Sequence, residues 1–315
     1  MGRNAAVVAG LLAAFAIAGG VLVRAGHQGV GQTPSPFPLS NPIRARGSSV
    51  TGAYDGWYRD KDGTVRLLVG YFNRNTQQDL DIPIGPDNRI EPGGPDQGQP
   101  THFQTGHQWG VFTIAVPKDF GNKKLTWTLV ANQQTNVITL HARPEWVVEP
   151  FEDAASKNTP PVLRFEQDGR TFTGPPATIA AQYTTTLSDP VTLTTWVTDE
   201  GPKLNLEPPA SDSPGQGRER GGRGSRTAGG INPPLAIAWS VFRGPGRVTF
   251  DPPKPSIDPA PRGGKATATA TFSVPGEYVL RVQANDASGD GGGGFQCCWT
   301  NAHVRVVVKP AGATR

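Results

Sequence analysis

The sequence predicts an all-β protein: two antiparallel β-sandwich domains behind an N-terminal signal or anchor segment. Three observations carry that expectation. Gly (40) and Pro (31) are abundant among the 315 residues, and apolar residues make up only 36%. That composition suits small cores and short strands joined by many turns. Stretch after stretch alternates apolar and polar residues with period two. Beyond residue 26, the three- and four-residue apolar spacing of an amphipathic helix is hard to find. The length fits about two domains.

The chain opens with a short basic start containing Arg3, followed by an uncharged run over residues 5–23 and then Arg24. This pattern reads as a secretory signal, expected over residues 1–26. Small residues at Ala16 and Ala18, or Val23 and Ala25, offer cleavage sites. The run is also nearly long enough to span a bilayer, so retention as an anchor is the other reading. Either way the rest of the chain is expected outside the cytoplasm, and it meets a membrane only if this segment is retained. Residues 27–47 contain "QTPSPFPLSNP", expected to be an extended, solvated linker.

The first domain is expected over residues 48–143. "SVTGAYDGWY" alternates loosely and stops at the turn "RDKDG"; "TVRLLVGYF" is a strand closed by "NRNTQQ". "DLDIPI" precedes the Pro-containing turn "GPDN", and "PGGPDQGQP" is a longer loop. "WGVFTIAVP" and "KKLTWTLVA" are strong strands, and "NQQTN" is a hairpin turn before "VITLHA". About seven strands at spacings of about 8–12 residues make the pattern of a sandwich. Residues 144–160 are acidic, then small and polar, and are expected to be a second linker.

The second domain is expected over residues 161–310, with a short tail at 311–315. "PVLRFEQDGRTFTG" gives a strand, a turn and an edge strand, and "VTLTTWVTDEG" alternates cleanly. Residues 202–234 have almost no aromatic or β-branched content. They cannot bury enough to hold a fold and are expected to be a disordered insert between two paired strands. "LAIAWSVFRG", "GRVTF", "KATATATFSVPGEYVLRVQAND" and "AHVRVVVKP" complete the strand pattern.

The formal net charge is +4. Arg3 and Arg24 carry two of these charges, and "GRERGGRGSR" at 217–226 carries three, which leaves the rest of the chain at −1. The folded part is therefore near neutral, and no nucleic-acid partner is expected.

"AWSVFRGPGRVTF", "ATATFSVPGEYVLRVQANDASG" and "HVRVVV" together resemble a PKD-type repeat, one of the immunoglobulin-like extracellular β-sandwich domains. "VTLTTWVTDEGP" fits the preceding strand. The resemblance covers about 160–310 and implies an immunoglobulin-like sandwich, with no particular ligand. Both domains are accordingly expected to be immunoglobulin-like, although the first resembles no family beyond the generic pattern. The insert and the segment "DGGGGFQCCWTN" depart from the repeat, which usually has short polar connections there. Trp239 takes the position of an aromatic buried between sheets. Tyr278 resembles a tyrosine corner, and Leu193 and Leu280 stand where related domains place an inter-sheet disulfide.

The only cysteines, Cys297 and Cys298, are adjacent. In an oxidising compartment free thiols are disfavoured, which leaves a bond between neighbours, a bond to another chain, or two free thiols. A bond between neighbours must bridge Cα atoms about 3.8 Å apart across a trans peptide, below the usual disulfide range of about 4.4–6.8 Å. Such a ring either staples a glycine-rich loop or, with Phe295 and Trp299, forms a small apolar ligand platform. Phe295, Cys297, Cys298 and Trp299 are the candidate ligand-binding residues, and Cys297–Cys298 the candidate disulfide.

No metal, cofactor or catalytic residue is expected. His102, His107 and His141 read as surface histidines, and Asp60, Asp62, Asn285, Asp286 and Asp290 as solvated turn residues. The sequence lacks G-x-S-x-G, H-E-x-x-H and P-loop patterns. The expected function is non-enzymatic: binding or adhesion to a glycan or a cell-envelope protein. The alternatives are a structural spacer in an envelope or secreted assembly, and, least favoured, an enzyme with an unrecognised site in the first domain. The oligomeric state is not legible.

Overall fold

In a computed structural model, which describes residues 43–154, 157–201, 235–259, 263–286 and 297–312, sixteen strands make up two β-sandwiches. The segment expected to be a signal or anchor, most of the expected first linker, residues 202–234, Phe295 and the last three residues lie outside the described residues.

The first sandwich contains β1 (Val50–Arg59), β2 (Val65–Asn73), β3 (Leu80–Asp81), β4 (Asn88–Glu91), β5 (His102–Phe103), β6 (Gly106–Val116), β7 (Lys124–Ala131) and β8 (Gln134–His141). One sheet has the order β1-β2-β6 and faces a second of order β4-β7-β8, with β3-β5 as a small ribbon. Leu67, Val69, Tyr71, Phe103, Trp127 and Leu140 meet between them. Strand β2 is buried on both faces. Its Leu67, Val69 and Tyr71 enter this core, while Leu68 joins Tyr58 and Trp299 in a separate cluster. Between β7 and β8, Asn132 and Gln133 both have positive φ, 49° and 63°. Two such residues match the twist of a two-residue hairpin.

The strand β4 and the two-residue β3 and β5 lie where the sequence suggests mainly turns and loops. Asn88 holds this region from within. Its side chain donates to the carbonyls of Ile82 (2.9 Å) and Pro100 (2.8 Å) and accepts from the Trp127 indole N–H (3.0 Å). Residues 144–154 form no free connection either. A 3-10 turn, Pro144–Trp146, leads to Val148 N–H, which donates to Trp57 O at 2.9 Å.

The second sandwich contains β9 (Val162–Arg164), β10 (Ile179–Thr186), β11 (Val191–Thr198), β12 (Ala236–Arg243), β13 (Val248–Asp251), β14 (Gly263–Phe272), β15 (Gly276–Asn285) and β16 (Trp299–Lys309). Its sheets have the orders β10-β16-β15-β12 and β13-β14-β11-β9. All pairs are antiparallel except β10 with β16. The expectation that the insert joins two paired strands is corrected here. Its flanking strands, β11 and β12, lie in opposite sheets and do not pair with each other.

Trp239, Leu193, Leu280, Tyr278, Val304 and Val306 are buried together between these sheets. The Tyr278 hydroxyl donates to Val274 O at 2.8 Å, closing the corner where the chain crosses from β14 to β15. Leu193 and Leu280, each fully buried, fill the inter-sheet centre with apolar volume.

Candidate functional site: a cleft beside the sandwich junction

The outward faces of β15 and β16 are covered by β6, so polar residues that alternation would give to solvent are buried. Asn301 is the hub. Its amide donates to Gly110 O (3.0 Å) and Trp109 O (3.3 Å), and its oxygen accepts from Arg281 Nε (3.1 Å). Arg281 also reaches Gln108 Oε1 at 3.0 Å. Arg281 is 3% exposed, and burial weighs against its charge. His303 meets Val111 O through Nε2 at 3.1 Å. Burial, then the nearby Arg281 charge, push its pKa down to about 3, so the ring is neutral. It stacks on Phe242, with centroids 4.1 Å apart, and Phe242 itself enters the core of the first sandwich. At the rim, Arg243 forms a two-pronged pair with Asp96 (2.7 and 3.1 Å) and donates to Gln99 O (2.7 Å).

The Cys297 and Cys298 sulfurs are bonded to each other, the intervening peptide is cis, and the Cα atoms are 3.1 Å apart. The pair lies at the start of β16 against Asn158, whose carbonyl is 3.7 Å from Cys297 Sγ. Asn158 also donates to Asp286, at the end of β15. The expected ligand platform is corrected for the three of its residues that are described. Cys297, Cys298 and Trp299 are 3%, 0% and 1% exposed. The reason is Gly110: with no side chain, it lets the Trp299 indole lie flat against β6, where any Cβ would overlap the ring. Tyr58 and Leu68 complete the enclosure. Phe295 lies outside the described residues.

Beside the junction, β12 and β15 face the loops around β3, β5 and β6 across an open cleft. One cavity of about 630 Å³ is bordered by Gln104, Trp109, Trp239, Gln283 and Asn285 among others. A second, of about 1190 Å³, is bordered by Asp81, His102, Arg243 and Phe250. The two share Asp79, Gln104, Trp239, Ser240 and Pro253, so they are two lobes of one cleft.

The histidines take separate places. His102 sits between two carboxylates, Nδ1 2.7 Å from Asp81 and Nε2 3.5 Å from Asp79. Burial works against its charge, but those hydrogen bonds outweigh it and raise its pKa to about 9. His107 stacks on Trp109 with centroids 3.4 Å apart. His141 lies in a separate cluster with Tyr54 and Trp146. Among the described residues no group of three or more His, Cys, Asp or Glu side chains could hold a metal. Asp60 pairs with Arg66, and Asp62 accepts from Thr64 N–H at 2.8 Å, as in a turn.

No protein-family description and no curated protein matches the chain. Among solved structures, a protein of unknown function from Porphyromonas gingivalis W83 aligns over 82% of this chain and 99% of its own, at 12% identity and TM-score 0.22. Domains 4 and 5 of the S-layer protein SbsC align over 83% of this chain and 98% of their own, at 14% identity and TM-score 0.20. Similarity at this level adds nothing to what the site's geometry says.

The cleft residues were missed by the sequence reading. Trp109 and Trp239 are visible as aromatics in strands, but nothing local says that strands 130 residues apart in sequence face one opening.

Proposed function

We propose that the chain is an exported, non-enzymatic binding module whose ligand, a glycan or a cell-envelope protein, enters the cleft between the two sandwiches. One observation carries this reading: a concave, two-lobed opening walled by both sandwiches and held in shape by a buried hydrogen-bonded junction. Fixed walls lower the ordering cost of binding. The placement outside the cytoplasm rests on the export segment and on the bonded cysteine pair, which suits an oxidising compartment. The immunoglobulin-like, PKD-type reading of the second sandwich is supported by its Trp239 core, its tyrosine corner and its parallel β10–β16 pair.

A second reading, a rigid spacer, is favoured by the burial of Trp299 and by the junction itself. Binding of the labelled full chain to isolated cell envelopes separates the two. Saturable binding that is lost when the cleft is altered, as in Arg243→Ala with Gln104→Ala, supports the module. Absence of any saturable binding sinks it and leaves the spacer. Intact mass of the exported protein gives its mature N-terminus and so decides between secretion and anchoring.

A further inference from the structure

Three contacts of the junction converge on Gly110. Its N–H donates to the Asp55 carboxyl at 2.7 Å, its carbonyl accepts from the Asn301 amide at 3.0 Å, and the Trp299 indole lies against its bare Cα. The Asp55 carboxyl also lies over Gly70, so close that any Cβ there would overlap it. Gly70 shares a strand face with Leu68, and Leu68 packs with Tyr58 against Trp299. Asp55 is therefore on the face of β1 and β2 that the second sandwich covers. A carboxyl on an open sheet face meets water; this residue is 8% exposed. Among the described residues its carboxyl has the one hydrogen bond from Gly110 and no ion pair.

We infer that the joint at Gly110 is proton-linked: with Asp55 protonated the second sandwich stays seated on β6, and ionisation of Asp55 releases Trp299 and Asn301 from Gly110. A buried carboxylate with one donor and no cation is poorly solvated, and lifting the cover readmits water to it. The linkage is reciprocal, so a cover that disfavours the charge is itself disfavoured by the charge. Burial pushes the pKa of Asp55 up to about 7, with Gly110 offsetting part of the rise. Uncovered, the group titrates near 4. The seated form thus holds the extra proton between these values. The seat is firmest below about pH 4, weakens about tenfold per pH unit up to about 7, and is level above that, about a thousandfold weaker. Gln108, Trp109 and Arg281 border the cleft, so the release reaches the wall of its smaller lobe whatever the cleft holds.

The other titratable groups packed around Asp55 do not take its place. On β1, burial raises the hydroxyls of Tyr54 and Tyr58, as it does that of Tyr71 on β2, so all three stay neutral. Asp60 and Arg66 pair with each other, and Arg59 lies over Trp57. On β6, burial lowers His107; on β16, His303 is neutral down to about pH 3. Arg281 on β15 is engaged by Asn301 and Gln108. In the segment against Gly56, Glu149 accepts from Phe151 N–H and Glu145 is exposed.

The test uses the full chain labelled with 5-fluorotryptophan and followed by fluorine NMR from pH 4.5 to 8.5. Trp299→Phe identifies the Trp299 resonance by its loss. In the wild type this resonance is expected to move from an enclosed to a solvent-exposed position as pH rises from 4.5 to 7, then to stay level. Asp55→Asn keeps an acceptor for Gly110 and cannot ionise, so its Trp299 resonance is expected to hold the wild-type pH 4.5 position throughout. The resonance of Trp127, in the core of the first sandwich, is expected to stay fixed in both. Melting temperatures show which variants fold, and Asp55→Ser replaces Asp55→Asn if the latter does not. A wild-type Trp299 resonance that stays fixed across the range overturns the proposal, as does a shift that the folded Asp55 variant retains. Movement of Trp127 together with Trp299 also overturns it, since that is unfolding of the chain and not release of a joint.

Discussion

Asp55 keeps its carboxyl buried where β1 bulges between Tyr54 and Gly56, and its Oδ2 accepts from Gly110 N–H at 2.7 Å. Burial raises its pKa to about 7, and the Gly110 bond only partly offsets this. In the unfolded chain the group titrates near 4, so folding binds a proton between those values. Its contribution is most favourable below about pH 4 and is lost as pH rises through about 7. Asp55→Asn keeps an oxygen for Gly110 and removes the ionisation. The gain in melting temperature over wild type is expected to grow from pH 4.5 to 7.5 and then level. Its ceiling is about 4 kcal/mol, three pK units at about 1.4 each. A pH-independent difference would show that Asp55 does not titrate in this way. His102 has the opposite dependence on partners but the same sign. Its folded pKa, about 9, lies above the unfolded value, so its contribution is full below about pH 6.5 and lost as pH rises through 9. His102→Gln is expected to lower the melting temperature at pH 6 and to leave it nearly unchanged at pH 10.

Among the elements, the β7–β8 hairpin forces Gln133, a residue with a side chain, into the left-handed region at φ 63°. Glycine carries no such penalty there, so Gln133→Gly is expected to stabilise the fold by about 1 kcal/mol, measured by urea denaturation. A loss of stability would mean that the Gln133 side chain contributes contacts of its own. This hairpin was legible in the sequence, as were most strands that alternate with one buried face, such as β11 and β14. Strand β10 was not. "IAAQYTTT" has one fully buried stretch, at its end, because it is an edge strand paired on one side only. The beginning of β16 was also hidden, since Trp299, Thr300 and Asn301 are buried on both faces and show no alternation. The junction residues were hidden for a related reason. Arg281 and Asn301 point away from their own sandwich core, where a sequence reading assigns water; the first sandwich takes its place.

At the level of the whole molecule, residues Asn41–Arg315 form one unit, and Phe242 links its two cores by leaving β12 to pack among first-sandwich residues. Phe242→Ala is expected to cost about 3–5 kcal/mol. Because the lost contacts belong to both sandwiches, calorimetry is expected to show one transition in the wild type and one, at lower temperature, in the variant. Two separate transitions, with only one displaced, would show that the sandwiches unfold independently. The parallel pairing of β10 with β16 has a mechanical consequence. Tension applied through residue 310 draws β16 along its own axis, so the seven paired positions from Ile179 to Thr186 are loaded together in shear and do not peel apart one at a time. Pulling along β16 therefore meets the resistance of all seven positions at once.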